Sequence, residues 1–493
     1  MALSLAACGG SSTTTTTATD TTTTTTTTTD AAQSIALTIA ADTVTGGSGA
    51  DAISGARVDG IVTLNASDVV DGGAGVDTLT ARTVEGLATS SISNVENVVF
   101  TETGAGGDTI VFSTAAATYI SGVTSITNLA STNNLTVGRV TESADLTVNN
   151  SATTTTLQFA DSVLTGTADS ITVNLNAATA AVTVGTVTDA DGDYETLVIN
   201  ASGAASGLVA GGGLGGDATT VDVNASVAVD LGTTASFAAL TSFDASDSTA
   251  GVTAVFANKA AAGTTAVSIT GGAGADNFDI SALTAANHGA VTLDMGAGND
   301  TLVLDDKGAA DFALSGGAGT GDKVSISVVS AVATHGTISG FEELITTDVI
   351  ANAATTTLDM ANFVNSDFTK VTMSNTFADA TTGAVTDVFA ITNAKDGLAT
   401  LSLNALDLTD ASVTFARQTD GTANALTIVS SVASAAGSIA ANDEETLTFD
   451  SSAGAMDYTA VSATDMTTLV VKGDEQMDLG TLTGTILASV DAT

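Results

Sequence analysis

Apolar and polar residues alternate in short runs along most of this chain, and the runs recur at a nearly fixed interval. Ile171-Thr172-Val173-Asn174-Leu175-Asn176, Leu197-Val198-Ile199-Asn200, Val221-Asp222-Val223-Asn224 and Ser242-Phe243-Asp244 end at positions 176, 200, 224 and 244, steps of 24, 24 and 20 residues. Period-two alternation predicts strands with one buried face, and repetition every 20–26 residues predicts stacked coils. Asn128 and Asn149 extend the series backwards, and Asn404 and Asp450 extend it forwards. Asparagine at one phase suits a ladder of side-chain amides that bond up and down the stack. That ladder accounts for the Asn-Ala-Ser triplets at Asn65, Asn200 and Asn224 without glycosylation. The expected fold is all-β, an elongated parallel β-solenoid.

Composition supports thin coils. Hydrophobic residues make up 44% of the chain but aromatic ones only 4%, and there is no proline or tryptophan among 493 residues. Stacked small β-branched side chains fill a narrow slab that needs few large rings. Charge then excludes partners. With 54 Asp and Glu against 10 Lys and Arg, the net charge of −44 leaves no basic surface for nucleic acid or an anionic membrane. No apolar run of 18 residues predicts a transmembrane helix.

Candidate chemistry concentrates in glycine-aspartate loops. Gly46-Gly47-Ser48-Gly49-Ala50-Asp51, Gly72-Gly73-Ala74-Gly75-Val76-Asp77, Gly271-Gly272-Ala273-Gly274-Ala275-Asp276 and Gly296-Ala297-Gly298-Asn299-Asp300 each precede an apolar strand start. A fifth loop, Gly316-Gly317-Ala318-Gly319-Thr320-Gly321-Asp322, carries one extra residue before its Asp. Glycine permits positive φ and exposes carbonyls, while Asp adds a hard carboxylate oxygen, so each loop offers part of a Ca²⁺ site. Loops that start at 271, 295 and 316 follow the coil period, so they should stack on one edge and share ions; the alternative is a glycine-rich corner capped by Asp. Asp189, Asp191 and Asp193 form a separate acidic loop that lacks the distal Glu of an EF-hand. The Asp108 and Asp217 loops are degenerate.

A longer module, loop followed by Ile-Ser-x-Φ-Glu, occurs twice. Ile92-Ser93-Asn94-Val95-Glu96 follows the loop at 72, and Ile338-Ser339-Gly340-Phe341-Glu342 follows the loop at 316. The last residues, Ala488-Ser489-Val490-Asp491-Ala492-Thr493, match Thr241-Ser242-Phe243-Asp244-Ala245-Ser246, which suggests that the sequence stops within a repeat.

Segments follow from these patterns: a signal remnant at 1–10, a Thr-rich disordered linker at 11–34, solenoid with Gly-Asp loops at 35–110, Asn-ladder solenoid at 111–260, a calcium-binding segment at 261–350 and further solenoid at 351–493. Leu5-Ala6-Ala7-Cys8 resembles the lipobox of bacterial lipoproteins, with Cys8 as the lipidated residue, although no charged n-region precedes it. His288 and His335 each precede a glycine and read as loop residues. Arg57, Arg82, Arg139 and Arg417 share no motif, which makes a β-helix polysaccharide enzyme the weaker reading.

The Gly-Asp loops resemble the Gly-Gly-x-Gly-x-Asp nonapeptide of RTX proteins, and the Thr/Ala/Asn-rich coils are similar in style to bacterial S-layer and other β-strand-repeat surface proteins. That resemblance implies a secreted structural protein at the cell surface that binds Ca²⁺ and self-associates into a lattice or filament, with no enzymatic activity. An adhesin on the same stalk is the alternative. A lipid anchor at Cys8 would tie either to the cell envelope.

Overall fold

The computed structural model describes residues 24–26, 31–83, 90–114, 116–189, 193–208, 214–232, 237–256, 265–283, 290–305, 312–327, 337–347, 349–350, 355–374, 376–377, 387–404, 411–430, 434–484 and 486–492. Among them the regular secondary structure is all strand apart from one short 3-10 turn at Met360–Asn362, and there is no α-helix. No helix of the described residues is long and apolar enough to cross a membrane. The chain divides into two compact units, Met1–Ala257 and Asn258–Thr493.

Each unit is a parallel β-solenoid. In the first, one sheet runs from Ser34–Ala36 through Ala52–Gly55, Thr78–Thr83, Asn97–Glu102, Ser125–Leu129, Asp145–Asn149, Ser170–Asn176, Thr196–Ala201 and Thr220–Ala225 to Ser242–Asp244, each strand pairing in parallel with the next. Register stacks like on like. Ile35, Ile53, Leu79, Val98, Ile126, Leu146, Val173, Ile199 and Val223 form one inward column, every member at most 2% exposed. Each such side chain contributes roughly 1.5–3 kcal/mol by leaving water. The column explains how so few aromatics suffice.

The second unit repeats the scheme with another column. Phe278, Leu302, Val324, Leu344, Val371, Leu401, Ile428 and Phe449 stack in register at 0–1% exposure. A further sheet in this unit runs through Thr355–Asp359, Asp387–Ala394, Ala411–Arg417, Ser434–Ala440 and Met456–Ser462. The Thr tract is not wholly free of structure, because Thr24–Thr26 pairs in parallel with Thr43–Thr45. β-branched threonine suits an extended, paired backbone even without an apolar side chain to bury.

Side-chain amides do form ladders, in a different register from the one the sequence period suggests. Asn174 pairs across from Asn200, and Asn200 from Asn224. Asn200 Nδ2 donates to Asn174 Oδ1 at 2.9 Å, and Asn224 Nδ2 donates to Asn200 Oδ1 at 3.2 Å. Asn176 belongs to a neighbouring column, donating to Asn149 Oδ1 at 3.1 Å. Asn128 is not in either ladder. It lies inside, fully buried, with Nδ2 donating to Thr155 Oγ1 at 2.6 Å and Oδ1 accepting from Ser131 Oγ at 2.5 Å. Asp450 stands in register with Ser402 through Val429, not with Asn404.

The ladder consumes the amide nitrogens of the triplets at Asn200 and Asn224, and Asn65 Nδ2 is likewise bound to Ala40 O at 3.1 Å. Asn200→Ala removes one donated and one accepted bond, at about 0.5–1.5 kcal/mol each. The expected result is a melting temperature lower by about 3–8 °C for this unit. A calorimetric melt that does not move would show the ladder to be ornamental.

Candidate functional site

The five Gly-Asp loops stack one per coil. In the first unit Gly46 N–H donates to Asp71 O at 2.8 Å and Ala74 N–H to Gly47 O at 2.8 Å; in the second, Ala297 N–H donates to Gly272 O and Ala318 N–H to Gly296 O, both at 2.7 Å. Glycine is needed for the close approach. A Cβ on Gly73 would meet Gly47 O at 2.3 Å, one on Gly75 would meet Gly49 O at 2.7 Å, and one on Gly298 would meet Gly274 O at 2.3 Å. The apolar residue after each Asp enters the core as expected, Ile53, Leu79, Phe278 and Leu302 all being at most 1% exposed.

The Asp side chains turn inward. Asp51 and Asp276 are 2% exposed, and Asp77, Asp300 and Asp322 are 0% exposed. The last three carboxylates are each tied to the backbone of the coil before. Asp51 N–H donates to Asp77 Oδ1 at 2.7 Å, Asp276 N–H to Asp300 Oδ1 at 2.7 Å, and Asp300 N–H to Asp322 Oδ1 at 2.8 Å. One oxygen of each is therefore already engaged, which leaves the second as the oxygen a loop can offer.

The second oxygen has two fates. Asp51 Oδ2 accepts from Gly47 N–H at 2.9 Å, and Asp276 Oδ2 accepts from Gly272 N–H at 2.7 Å, so those loops close on themselves. In the other three loops the corresponding glycine is left-handed, Gly73 at φ 94°, Gly296 at 89° and Gly317 at 86°. Its N–H turns away to Asp71 Oδ1, Asp294 Oδ1 or Ser315 Oγ. Asp77 Oδ2, Asp300 Oδ2 and Asp322 Oδ2 are left buried with no hydrogen-bond partner. A buried carboxylate oxygen without a donor calls for a proton or a cation. Burial, then neighbouring carboxylates, pushes the Asp300 carboxyl up to about 7, and burial likewise raises Asp77 and Asp322.

Both stacks end on a glutamate to which the loop motif assigns no role. Asp77 N–H donates to Glu96 Oε2 at 2.7 Å, and Asp322 N–H donates to Glu342 Oε2 at 2.9 Å. The same corner recurs where no Gly-Asp loop precedes it: Asp169 N–H donates to Glu195 Oε2 at 2.8 Å and Asn424 N–H to Glu445 Oε2 at 2.6 Å. The Ile-Ser-x-Φ-Glu echo was the available signal. A second carboxylate network, Thr38 and Asp42 N–H groups donating to Asp42 and Asp68, carried no motif at all.

Elsewhere, Asp189 and Asp193 are joined by Asp217, from a loop whose sequence is degenerate, with one oxygen of each within 4.8 Å of the others. Asp420, Glu445 and Asp465 form a similar group. Asp191, Cys8, His288 and His335 lie outside the described residues. Arg417 is committed to a buried bidentate pair with Glu444, the Nε–Oε1 distance being 2.6 Å. No protein-family model matches the chain, and no curated protein matches its sequence.

Proposed function

We propose that this chain is a calcium-stabilised structural protein of the bacterial cell surface, S-layer-like, in which the solenoid forms a stalk or an assembling subunit. The observation that carries the reading is the set of buried, unpartnered carboxylate oxygens of Asp77, Asp300 and Asp322 within loops stacked at one-coil spacing. Calcium accepts hard carboxylate and carbonyl oxygens in flexible geometry, and extracellular modules bind it at about 0.1–1 mM. The stacked loops supply both oxygen types. Asp51 and Asp276, closed by amides, serve as loop caps in this reading. Cys8, as a lipid anchor, would hold the stalk at the envelope.

Calorimetry in EGTA against excess Ca²⁺ tests the stabilisation. At a Ca²⁺ concentration tenfold above Kd, each occupied site adds about 1.4 kcal/mol to the folded state. The expected outcome is a melting temperature several degrees higher in millimolar Ca²⁺, with light scattering rising as copies assemble. An identical melt in the two buffers would sink the calcium reading, and scattering that stays monomeric would leave a stalk in place of a lattice.

A further inference from the structure

The Ile-Ser-x-Φ-Glu module makes the same contacts in both of its copies. Gly72 N–H donates to Ser93 O at 3.0 Å, and Gly316 N–H to Ser339 O at 2.8 Å. Residue x is left-handed in each, Asn94 at φ 50° and Gly340 at φ 71°. Its carbonyl faces the first glycine of the loop one coil earlier: a Cβ on Gly72 would lie 1.9 Å from Asn94 O, and one on Gly316 would lie 2.1 Å from Gly340 O. On Gly72 that same Cβ would lie 2.7 Å from Asp77 Oδ2, so the carbonyl and the unpartnered carboxylate oxygen converge on one side of the glycine. Glu96 and Glu342 then bring a second carboxylate against the Asp, bonded to its N–H 19 and 20 residues away. The charge of each glutamate is felt by Asp77 and Asp322, adding to the effect of burial.

We infer that Glu96 and Glu342 are the closing ligands of the two carboxylate stacks, each sharing a divalent cation with the Asp one coil before it, Asp77 or Asp322. The inference rests on the calcium reading and assigns to the site two residues that lie outside every Gly-Asp loop. Two carboxylates and a backbone carbonyl are hard oxygens of the kind Ca²⁺ takes, and they supply part of the about six to eight it coordinates. The longer glutamate side chain can bond the preceding amide through Oε2 and still present a second oxygen to the ion.

Glu195 provides the internal comparison. It occupies the same corner, but the Asp whose amide it accepts, Asp169, has its Oδ2 engaged by Gly166 N–H at 2.8 Å. Glu195 therefore has the structural bond without an unpartnered carboxylate beside it.

The test is a Ca²⁺ titration of the full chain, followed by calorimetry, for the unaltered protein, Glu96→Gln, Glu342→Gln and Glu195→Gln. Glutamine keeps an oxygen to accept the amide N–H and loses the charge. The Ca²⁺ concentration giving half of the stabilisation is expected to rise about 10–100-fold for the sites touched by Glu96→Gln and Glu342→Gln, and to stay unchanged for Glu195→Gln. If the unaltered protein responds to Ca²⁺ and Glu96→Gln and Glu342→Gln respond at the same concentration, the inference is overturned while the calcium reading stands. An equal loss in Glu195→Gln would reduce all three glutamates to structural corners and overturn it as well. No Ca²⁺ response in the unaltered protein would remove both.

Discussion

Replacing Arg417 with methionine is expected to destabilise the second unit by about 3–5 kcal/mol, the usual consequence of stranding one member of a buried ion pair. Arg417 and Glu444 side chains are 1% and 0% exposed. All five guanidinium N–H groups have partners: Nε and Nη2 donate to the two Glu444 oxygens at 2.6 and 3.0 Å, Nη1 to Lys395 O and Leu398 O at 3.0 and 2.8 Å, and Nη2 also to Ala425 O at 3.0 Å. The guanidinium also lies 4.9 Å from the Phe415 ring centre. Methionine fills much of the volume but leaves Glu444, whose carboxyl burial already pushes up, without a counter-charge. The loss should shrink as pH falls, because burial raises the Glu444 carboxyl and a stranded glutamate takes a proton more readily at lower pH. Urea denaturation followed by circular dichroism measures this. Adding Glu444→Leu should recover most of the stability, since an apolar pair replaces a desolvated charged one. A double variant no more stable than the single one would show that the three carbonyls, not the ion pair, set the cost.

Stability in EGTA should fall as pH rises from about 4 to 7, and Asp300→Asn should flatten that fall. The Asp300 carboxyl is raised from 3.8 to about 7 in the folded state. A carboxyl with a raised folded pKa contributes stability that is fully present below the unfolded value, near 4, and lost as pH passes through about 7. The full shift corresponds to roughly 4 kcal/mol at most, or about 8–16 °C in melting temperature for a unit of this size. Asparagine keeps an acceptor for Asp276 N–H and removes the charge. The variant should therefore be more stable than the unaltered protein at pH 8 in EGTA, and Ca²⁺ should help it less. Parallel pH curves for the two proteins would rule out Asp300 as the group responsible.

The Gly-Asp loops were legible because the chemistry that makes them is local. Gly-Gly-x-Gly-x-Asp before an apolar residue fixes a turn, a buried carboxyl and a strand entry, and Ile53, Leu79, Phe278 and Leu302 all enter the core where that pattern places them. The fate of each second carboxylate oxygen was not legible. Asp51 and Asp77 follow the same motif, yet one is capped by its own loop and the other is not, because Gly73 is left-handed. A Cβ on Gly73 would run into Gly47 O of the coil before it, a neighbour the local motif does not contain.

Register shows the same division. Counting residues between repeats places Asn176 with Asn200, whereas pairing places Asn174 there. The two choices differ by an even number of residues, so both keep the same face outward and the alternation cannot separate them. Coil lengths of 26 and 24 residues between successive ladder amides then defeat a fixed period. Arg417 and Glu444, 27 residues apart, gave no pattern either, since a buried pair is recognised only by what surrounds it.

By itself the sequence determined that this is an all-β chain of parallel coils, because period-two alternation repeated at a coil interval leaves stacking as the way to bury each strand's apolar face. Only the tertiary structure decided which carboxylates are capped, which are left without a partner and which glutamates close the stacks. The glutamates are placed by hydrogen bonds between residues about 20 positions apart, set by the register of one coil on the next, and the capping turns on the conformation of a glycine packed against the coil before it.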